Sequence, residues 1–145
     1  MEAADCTFCR IGREELDSSE IICTGRTWVA FFPLSPATPG HTLITPRMHV
    51  ADLWHLKPDQ GADLTAAAIL VGRAIKIALE PEGMNLITSA GRVAEQTMFH
   101  LHLHIVPRWQ GDGFGPIWNK PATNRNVDLG ELRRRIQQVY DHTRP

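Results

Sequence analysis

The chain has 145 residues, of which 43% are hydrophobic and 21% charged, and its formal net charge is −1. This composition is typical of one globular domain, and the small net charge gives no reason to expect binding to a nucleic-acid polymer or a membrane. Because the sequence has no apolar run of about 18 residues and no basic N-terminal signal, we expect a cytoplasmic protein.

The first half of the chain predicts three strands and a long helix. Residues 20–23 and 27–32 are rich in β-branched and aromatic residues and flank a glycine-containing turn, which predicts a hairpin. After a proline-rich passage, residues 41–45 predict a third strand that ends at Pro46. Apolar residues recur every three or four positions over residues 59–79, which predicts an amphipathic helix.

The second half predicts two more strands, at residues 84–89 and 99–107, and a terminal helix over residues 129–140. A run of three arginines at 133–135 forms the solvated side of that helix. We therefore expect an α+β fold with a mainly antiparallel sheet, within a single domain that covers residues 1–145.

Three of the seven histidines fall within five residues, at His100, His102 and His104, and an aliphatic residue follows each. In an extended strand these rings share one face, spaced by roughly 6.6 Å, while the aliphatic residues share the other. Such a row suits a metal held by alternating histidines, or a nucleophilic histidine with two helpers. The structural alternative is an exposed polar face of an amphipathic strand.

The three cysteines are too few and odd in number for a disulfide framework. Cys6 and Cys9 form a Cys-x-x-Cys pair, which predicts metal ligands or reduced thiols. Cys23 lies in a hydrophobic strand and is predicted to be a buried thiol. For Trp54 and His55, in a short helical turn, we expect a packing role.

The seven residues from His100 to Val106 have the pattern His-φ-His-φ-His-φ-φ, where φ is hydrophobic. The chain thereby resembles the histidine-triad family of nucleotide hydrolases and transferases, and the resemblance covers about residues 6–116. It implies a HIT-like fold with a sheet of about five strands, one long helix and a C-terminal helical extension at about 126–142. Three further segments match the family: Pro39–Arg47, Gln96-Thr97 and the opening Cys6-x-x-Cys9-Arg10-Ile11.

The resemblance implies that His102 is a nucleophile that attacks the α-phosphorus of a nucleotide. Its second nitrogen would donate a proton to the main-chain carbonyl of His100. His41 and His104 would flank the α-phosphate and donate to its oxygens. Water would then resolve the nucleotidyl-histidine and release a nucleoside monophosphate.

The same resemblance implies three substrate-binding residues. Gln96 and Thr97 would lie near the leaving group or the bridging oxygen, and Ser89 stands where some members have an asparagine. The structural alternatives are that Gln96 caps a loop and that Thr97 stabilises a strand start. Pro33 replaces an Asp or Asn that binds the ribose in well-known members, so recognition of the nucleoside is expected to differ.

The resemblance to bacterial members with the Cys-x-x-Cys opening implies a structural zinc site. Its ligands would be Cys6, Cys9, His49 and His100, which leave no open position for a substrate. The alternative is a pair of buried reduced thiols with two ordinary surface histidines. No organic cofactor is expected.

We therefore predict a hydrolase that cleaves a phosphoramidate or phosphoanhydride bond of a small nucleotide, with a purine as the expected base. A transferase or dinucleoside polyphosphate phosphorylase stays open, because residues 107–112 are similar to a segment of such phosphorylases. A third alternative is a nucleotide-binding interaction protein with little turnover. Members with one short domain commonly form homodimers, and a homodimer is expected here.

Overall fold

A computed structural model of the protein describes residues 6–15, 20–117 and 128–143. The chain divides into two compact units, of which the first ends at Phe114 and the second begins at Gly115. The prediction of a single domain over the whole chain therefore stays a prediction. The described elements of the first unit are β1 (Ile21–Thr24), β2 (Trp28–Phe31), β3 (Thr42–Pro46), β4 (Gly83–Ile87), β5 (Leu103–Arg108), α1 (Thr7–Gly12), α2 (Pro58–Leu79) and 3-10 turns at Leu53–His55 and Arg92–Ala94; the second unit contains α3 (Leu129–Thr143).

The five strands form one sheet in the order β1-β2-β3-β5-β4, and every neighbouring pair is antiparallel. The predicted α+β class and the five-stranded antiparallel sheet are therefore confirmed. Strand β5 lies between β3 and β4, with Leu43 and Ile87 as the neighbours of His104. This order brings the strand that follows His41 directly beside the histidine row.

Helix α2 covers the apolar face of the sheet. It begins at Pro58, where proline has no amide hydrogen to lose, and it ends before Glu80, which adopts a left-handed conformation. Burial of one medium-sized aliphatic side chain contributes roughly 1.5–3 kcal/mol, so this helix stabilises the sheet substantially. The buried residues of α2 are Leu64, Ala67, Ala68, Val71, Gly72 and Ile75.

The apolar members of the histidine row face this core. Leu101, Leu103 and Ile105 are each at most 6% exposed and belong to the same cluster as the α2 residues. Strand β5 begins only at Leu103, although the prediction began it at residue 99. The segment before β5 is held by other bonds, because the Leu101 amide donates to the Val50 carbonyl and the Thr45 hydroxyl donates to the Leu101 carbonyl.

Two predictions of burial were wrong. Cys23 is exposed. In β1 the first residue is half-buried and the other three, including Cys23, are exposed. Trp54 and His55 lie in the 3-10 turn, but the Trp54 side chain is 79% exposed and that of His55 is 66% exposed. Both side chains extend into solvent, so they do not pack as expected.

The other differences concern element boundaries. The structure has a short helix, α1, where the sequence suggested no regular element, and β4 ends at Ile87, two residues earlier than predicted. Helix α3 extends to Thr143, while the start of the predicted C-terminal extension lies outside the described residues. Within the described ranges, no helix is both long and apolar enough to cross a membrane.

Candidate functional site

The Pro-Gly-His turn positions the first functional histidine. Gly40 has a φ of +77°, and a Cβ at this position would collide with the Leu79 side chain at the end of α2. Only glycine fits both conditions, because other residues are strained in this region and would lack the space. The turn therefore fixes His41 immediately before β3, where its side chain is only 6% exposed.

The middle histidine of the row has one nitrogen occupied and one free. Nδ1 of His102 lies 2.7 Å from the main-chain oxygen of His100. A carbonyl oxygen only accepts hydrogen bonds, so Nδ1 carries the proton and donates it. The lone pair of the ring is therefore on Nε2, which has no hydrogen-bond partner among the described residues. Such a neutral, singly oriented imidazole is the form that a nucleophile requires.

His41 and His104 are joined through their rings. The Ala37 amide donates to Nδ1 of His41 at 3.0 Å, so this nitrogen is the acceptor and Nε2 carries the proton. Nε2 of His41 lies 2.9 Å from Nδ1 of His104, which must then accept. By the same logic the proton of His104 is on its Nε2, which is left available for donation. Both ring nitrogens of His41 therefore have hydrogen-bond partners within the protein.

Burial keeps this group of histidines uncharged. Desolvation lowers the pKa of His41, His102 and His104. Neighbouring histidines lower the pKa of His41 and His104 further, whereas the hydrogen bond to the His100 carbonyl opposes the lowering for His102. For His104, burial and the two neighbouring rings together bring the pKa to about 4. Near neutral pH the cluster therefore offers a free lone pair on His102 and an N–H on His104.

A second group of side chains lies behind the first. Cys6, Cys9, His49 and His100 each point one possible ligand atom at a common centre, with all four atoms within 4.8 Å of one another. Nδ1 of His100 is 3.3 Å from the Cys6 sulfur and 3.4 Å from the Cys9 sulfur, and Nδ1 of His49 is 3.3 Å from the Cys9 sulfur. These four residues could bind a metal ion, as the sequence predicted.

The donor set fits a tetrahedral ion. Zinc bonds to sulfur and nitrogen place such ligand atoms about 3.5 Å apart, close to the observed separations. Nε2 of His100 donates to the Pro46 carbonyl at 2.9 Å, which leaves the lone pair on Nδ1 toward the sulfurs. Burial and the adjacent Cys6 thiol raise the pKa of Cys9 to about 11. Without a cation the Cys9 thiol stays protonated, so it is a poor candidate for a reactive cysteine.

Phe8 connects the two groups and was not predicted. It lies in α1 between the two cysteines, and its ring packs edge-on against His102 with a centroid distance of 5.3 Å. The same ring contacts His100 at 5.8 Å and Phe31 at 5.3 Å. The only signal in the sequence was its place inside the Cys-x-x-Cys pair. Its position makes the order of α1 a condition for the packing around the candidate nucleophile.

The three predicted substrate-binding residues occupy different environments. Gln96 is 3% exposed, and its amide accepts from the Gly91 amide and donates to the carbonyls of Ala51 and Met98. Both N–H groups of its amide are thus used, so donation to a substrate would require Gln96 to break one of these bonds. Thr97 is exposed and Ser89 is half-buried, so both are accessible to a ligand.

Like Phe8, Thr88 contacts His102: its hydroxyl donates to the His102 carbonyl at 3.1 Å. The sequence gave no reason to select it. The segment that contains Pro33 is accessible, because the neighbouring Phe32 is 40% exposed and Leu34 is fully exposed. No charged side chain stands at Pro33 or at these two neighbours, as the sequence already indicated.

An antiparallel sheet that supports a row of oriented histidines, next to four side chains that could bind a metal ion, is typical of the histidine-triad class. The comparison with known sequences agrees: the HIT domain matches residues 14–111, and the chain belongs to the HIT family. Protein hit of Bacillus subtilis is 34% identical over 139 residues, which span 91% of this chain and 95% of that protein. Adenosine 5'-monophosphoramidase HNT1 of Candida albicans is 30% identical over 140 residues, spanning 93% and 91%.

Solved structures lead to the same family. A HIT family protein from Bacillus anthracis superimposes with a TM-score of 0.86 at 27% identity and covers 99% of this chain and 100% of that one. A Zn-bound histidine triad family protein from Mycobacterium smegmatis superimposes with a TM-score of 0.71 at 29% identity, covering 97% and 99%. Fold and family are thus established together.

Proposed function

We propose that the protein is a nucleotide hydrolase that cleaves a phosphoramidate or phosphoanhydride bond at the α-phosphate and releases a nucleoside monophosphate. The observation that carries the proposal is the bond from Nδ1–H of His102 to the His100 carbonyl, which leaves Nε2 as a free nucleophile. The resemblance to an adenosine 5'-monophosphoramidase supports the reaction class and a purine substrate.

In the first step, Nε2 of His102 forms a bond to the α-phosphorus while the bond from phosphorus to the leaving group breaks. The nitrogen of a phosphoramidate takes one proton from solvent as its bond to phosphorus breaks, so that it leaves as a neutral amine, whereas a phosphate leaves as an anion. The His102 ring keeps its Nδ1 proton and becomes cationic. The His100 carbonyl stabilises this cation by accepting the hydrogen bond from Nδ1–H. Water then attacks the phosphorus, the bond to His102 breaks, and one proton passes to solvent.

His104 is the proposed donor to the phosphate. Its Nε2–H is directed by the bond that its Nδ1 accepts from His41. His41, His102 and His104 are neutral near pH 7 because burial lowers the pKa of each. In such a site the nucleophile stays unprotonated when the anionic phosphate binds.

For the metal site, we propose zinc as the natural ion. Cys6, Cys9, His49 and His100 would hold it, and with four protein ligands its contribution is to stabilise the fold. The Zn-bound relative from Mycobacterium smegmatis supports this choice. Through His100 the site anchors the carbonyl that orients His102.

We also propose that two copies associate through α2 and β4. Strand β4 is at the edge of the sheet, and Ile69, Ile77 and Leu86 are 50%, 81% and 58% exposed. An exposed edge strand with apolar side chains is suited to pairing with another copy. Sedimentation equilibrium tests the association: a dimer is expected, and Leu86→Glu should yield monomers, whereas a monomeric wild-type protein would contradict it.

The reaction is tested by product analysis with adenosine 5'-phosphoramidate and diadenosine tetraphosphate, with and without inorganic phosphate. Hydrolysis yields adenosine monophosphate whether or not phosphate is present. Formation of a nucleoside diphosphate only in the presence of phosphate would instead identify a phosphorylase. Binding of the nucleotides without cleavage of either compound would contradict both activities and leave the interaction protein.

A further inference from the structure

We propose that a cavity at the opposite end of β2 and β3 from His41 binds a small carboxylate with an apolar, ring-containing body. The cavity has a volume of about 270 Å³. None of the histidines or cysteines of the two groups described above lines it. The inference is independent of the proposed hydrolase activity, because it concerns a different set of residues.

Most of the cavity wall is apolar. Trp28 at the start of β2, Pro46 at the end of β3 and Leu64 of α2 form its inner side, with Met48 and Leu56 beside them. Trp28 and Leu56 are partly buried and pack against the main core, so this wall is anchored to the rest of the fold. A ring or a short hydrocarbon of a ligand would gain from contact with these surfaces.

The position of the indole is fixed by the turn between β1 and β2. Gly25 approaches the Trp28 ring so closely that a Cβ there would overlap it. The Gly25 amide also donates to the Trp28 carbonyl at 3.0 Å. The Trp28 ring is thus held in place before any ligand binds, which lowers the cost of binding.

Two residues of the lining carry hydrogen-bond donors without a partner in the part of the chain that the structure describes. The Arg26 guanidinium is exposed, and within the described ranges it has no ion pair or hydrogen bond. The Trp28 indole N–H likewise has no acceptor, although it is not sealed from solvent. Two unpartnered donors, one of them cationic, call for an acceptor that carries negative charge.

The other polar side chains of the cavity are already engaged. Asp63 accepts the Thr27 hydroxyl at 2.6 Å, and Gln60 accepts the Lys57 amide at 3.0 Å. Arg47 donates to the carbonyls of Gly12 and Gly25 and forms an ion pair with the Glu14 carboxylate at 3.3 Å. Because Arg47 is paired with Glu14, Arg26 is the arginine of the lining that remains for an anionic ligand. A carboxylate can accept two parallel hydrogen bonds from the Arg26 guanidinium, which a neutral hydroxyl group cannot do.

The test uses three probes of matched size: benzoate, benzyl alcohol and benzylamine. Binding is followed through the indole N–H signal of Trp28 in ¹H–¹⁵N spectra, assigned among the four tryptophans with Trp28→Phe. A ligand of about nine non-hydrogen atoms is expected to bind in the millimolar range. Benzoate should bind with a saturable shift of this signal, benzyl alcohol several-fold more weakly, and benzylamine most weakly.

Arg26→Gln should weaken benzoate about threefold to tenfold and leave benzyl alcohol unchanged, since an exposed charge pair contributes modestly. The matched control is Arg73→Gln, an exposed arginine of α2 that does not line the cavity. Equal affinity for benzoate and benzyl alcohol would overturn the proposal. So would shifts confined to the histidine signals, or the absence of a saturable shift for all three probes.

Discussion

Nε2 of His41 donates to Nδ1 of His104 across 2.9 Å, and the Ala37 amide donates to the other nitrogen of His41. One main-chain amide thereby sets the tautomers of two side chains. The proton of His104 is placed on Nε2, where a phosphate oxygen can accept it. We propose that His41 is a positioning residue that acts through His104, a role that the spacing of the histidines in the sequence does not reveal.

Removal of His41 should therefore lower kcat more than it changes KM. We expect His41→Ala to reduce kcat about 10- to 100-fold, the usual effect of losing an orienting partner. His41→Asn, whose amide can still donate, should recover part of the loss. Steady-state kinetics across pH gives the measurement, with His55→Gln as an exposed histidine control. A pure increase in KM in His41→Ala would show that His41 binds the substrate directly.

The stability of the fold should decrease as the pH falls from about 6.5 toward 4. The folded-state pKa of His104 is about 4, whereas an unfolded histidine has a pKa near 6.5. Between these values the unfolded state binds more protons, so the free energy of unfolding rises with pH in this window.

The His104→Gln variant isolates this contribution. Urea unfolding at several pH values, with zinc present throughout, should give a shallower dependence on pH for the variant than for the wild-type protein. An identical dependence in both proteins would contradict the lowered pKa of His104.

Loss of one metal ligand should destabilise the first unit. Cys9→Ser removes a buried sulfur that lies within 3.4 Å of both His49 and His100. We expect bound zinc to fall well below one ion per chain and the Tm to decrease, because metal binding is coupled to folding. Cys23→Ser, which changes an exposed cysteine, should alter neither quantity. Full zinc content with an unchanged Tm in Cys9→Ser would exclude the assigned site.

Gln96→Ala should unfold more easily than the wild-type protein. The substitution leaves the Gly91 amide and the Ala51 carbonyl without their partner, at a cost of about 1–3 kcal/mol. Urea denaturation measures this change, and Val93→Ala, at a fully exposed position of the same loop, should be neutral. Unchanged stability together with a large loss of activity would show that Gln96 acts on the substrate and not on the loop.

Much of the fold follows from local patterns. The α2 repeat predicted a helix over residues 59–79, within one residue of the observed start, because a single apolar stripe packs on the sheet. The alternation around the histidine row also predicted which face is buried. The start of β5 could not be predicted, since the segment before it pairs with Val50 and Thr45, which are distant in sequence.

The residues of the candidate site likewise fall into those that the sequence indicated and those that only the structure revealed. The Cys6-x-x-Cys9 pair and the alternating histidines are visible as patterns in the chain, whereas the choice of His102 as nucleophile and of His49 and His100 as possible metal ligands came from the resemblance to the family. The contacts of Ala37 and Thr88 arise only from the approach of separate elements, and nothing in their local sequence marks them. Phe8 is marked only by its place inside the Cys-x-x-Cys pair. The exposure of Cys23 was missed because the sequence does not show that β1 is an edge strand, which has a neighbouring strand on one side only.

The most direct test of the account is to trap the covalent intermediate. Rapid acid-free quenching of a single turnover of adenosine 5'-phosphoramidate, followed by peptide mass mapping, locates any adenylyl group. We predict one adenylyl group on His102, absent in His102→Ala, whose kcat should fall about a thousandfold or more. Turnover that proceeds without an adenylylated histidine, or an adenylyl group on a different residue, would contradict the central role of His102.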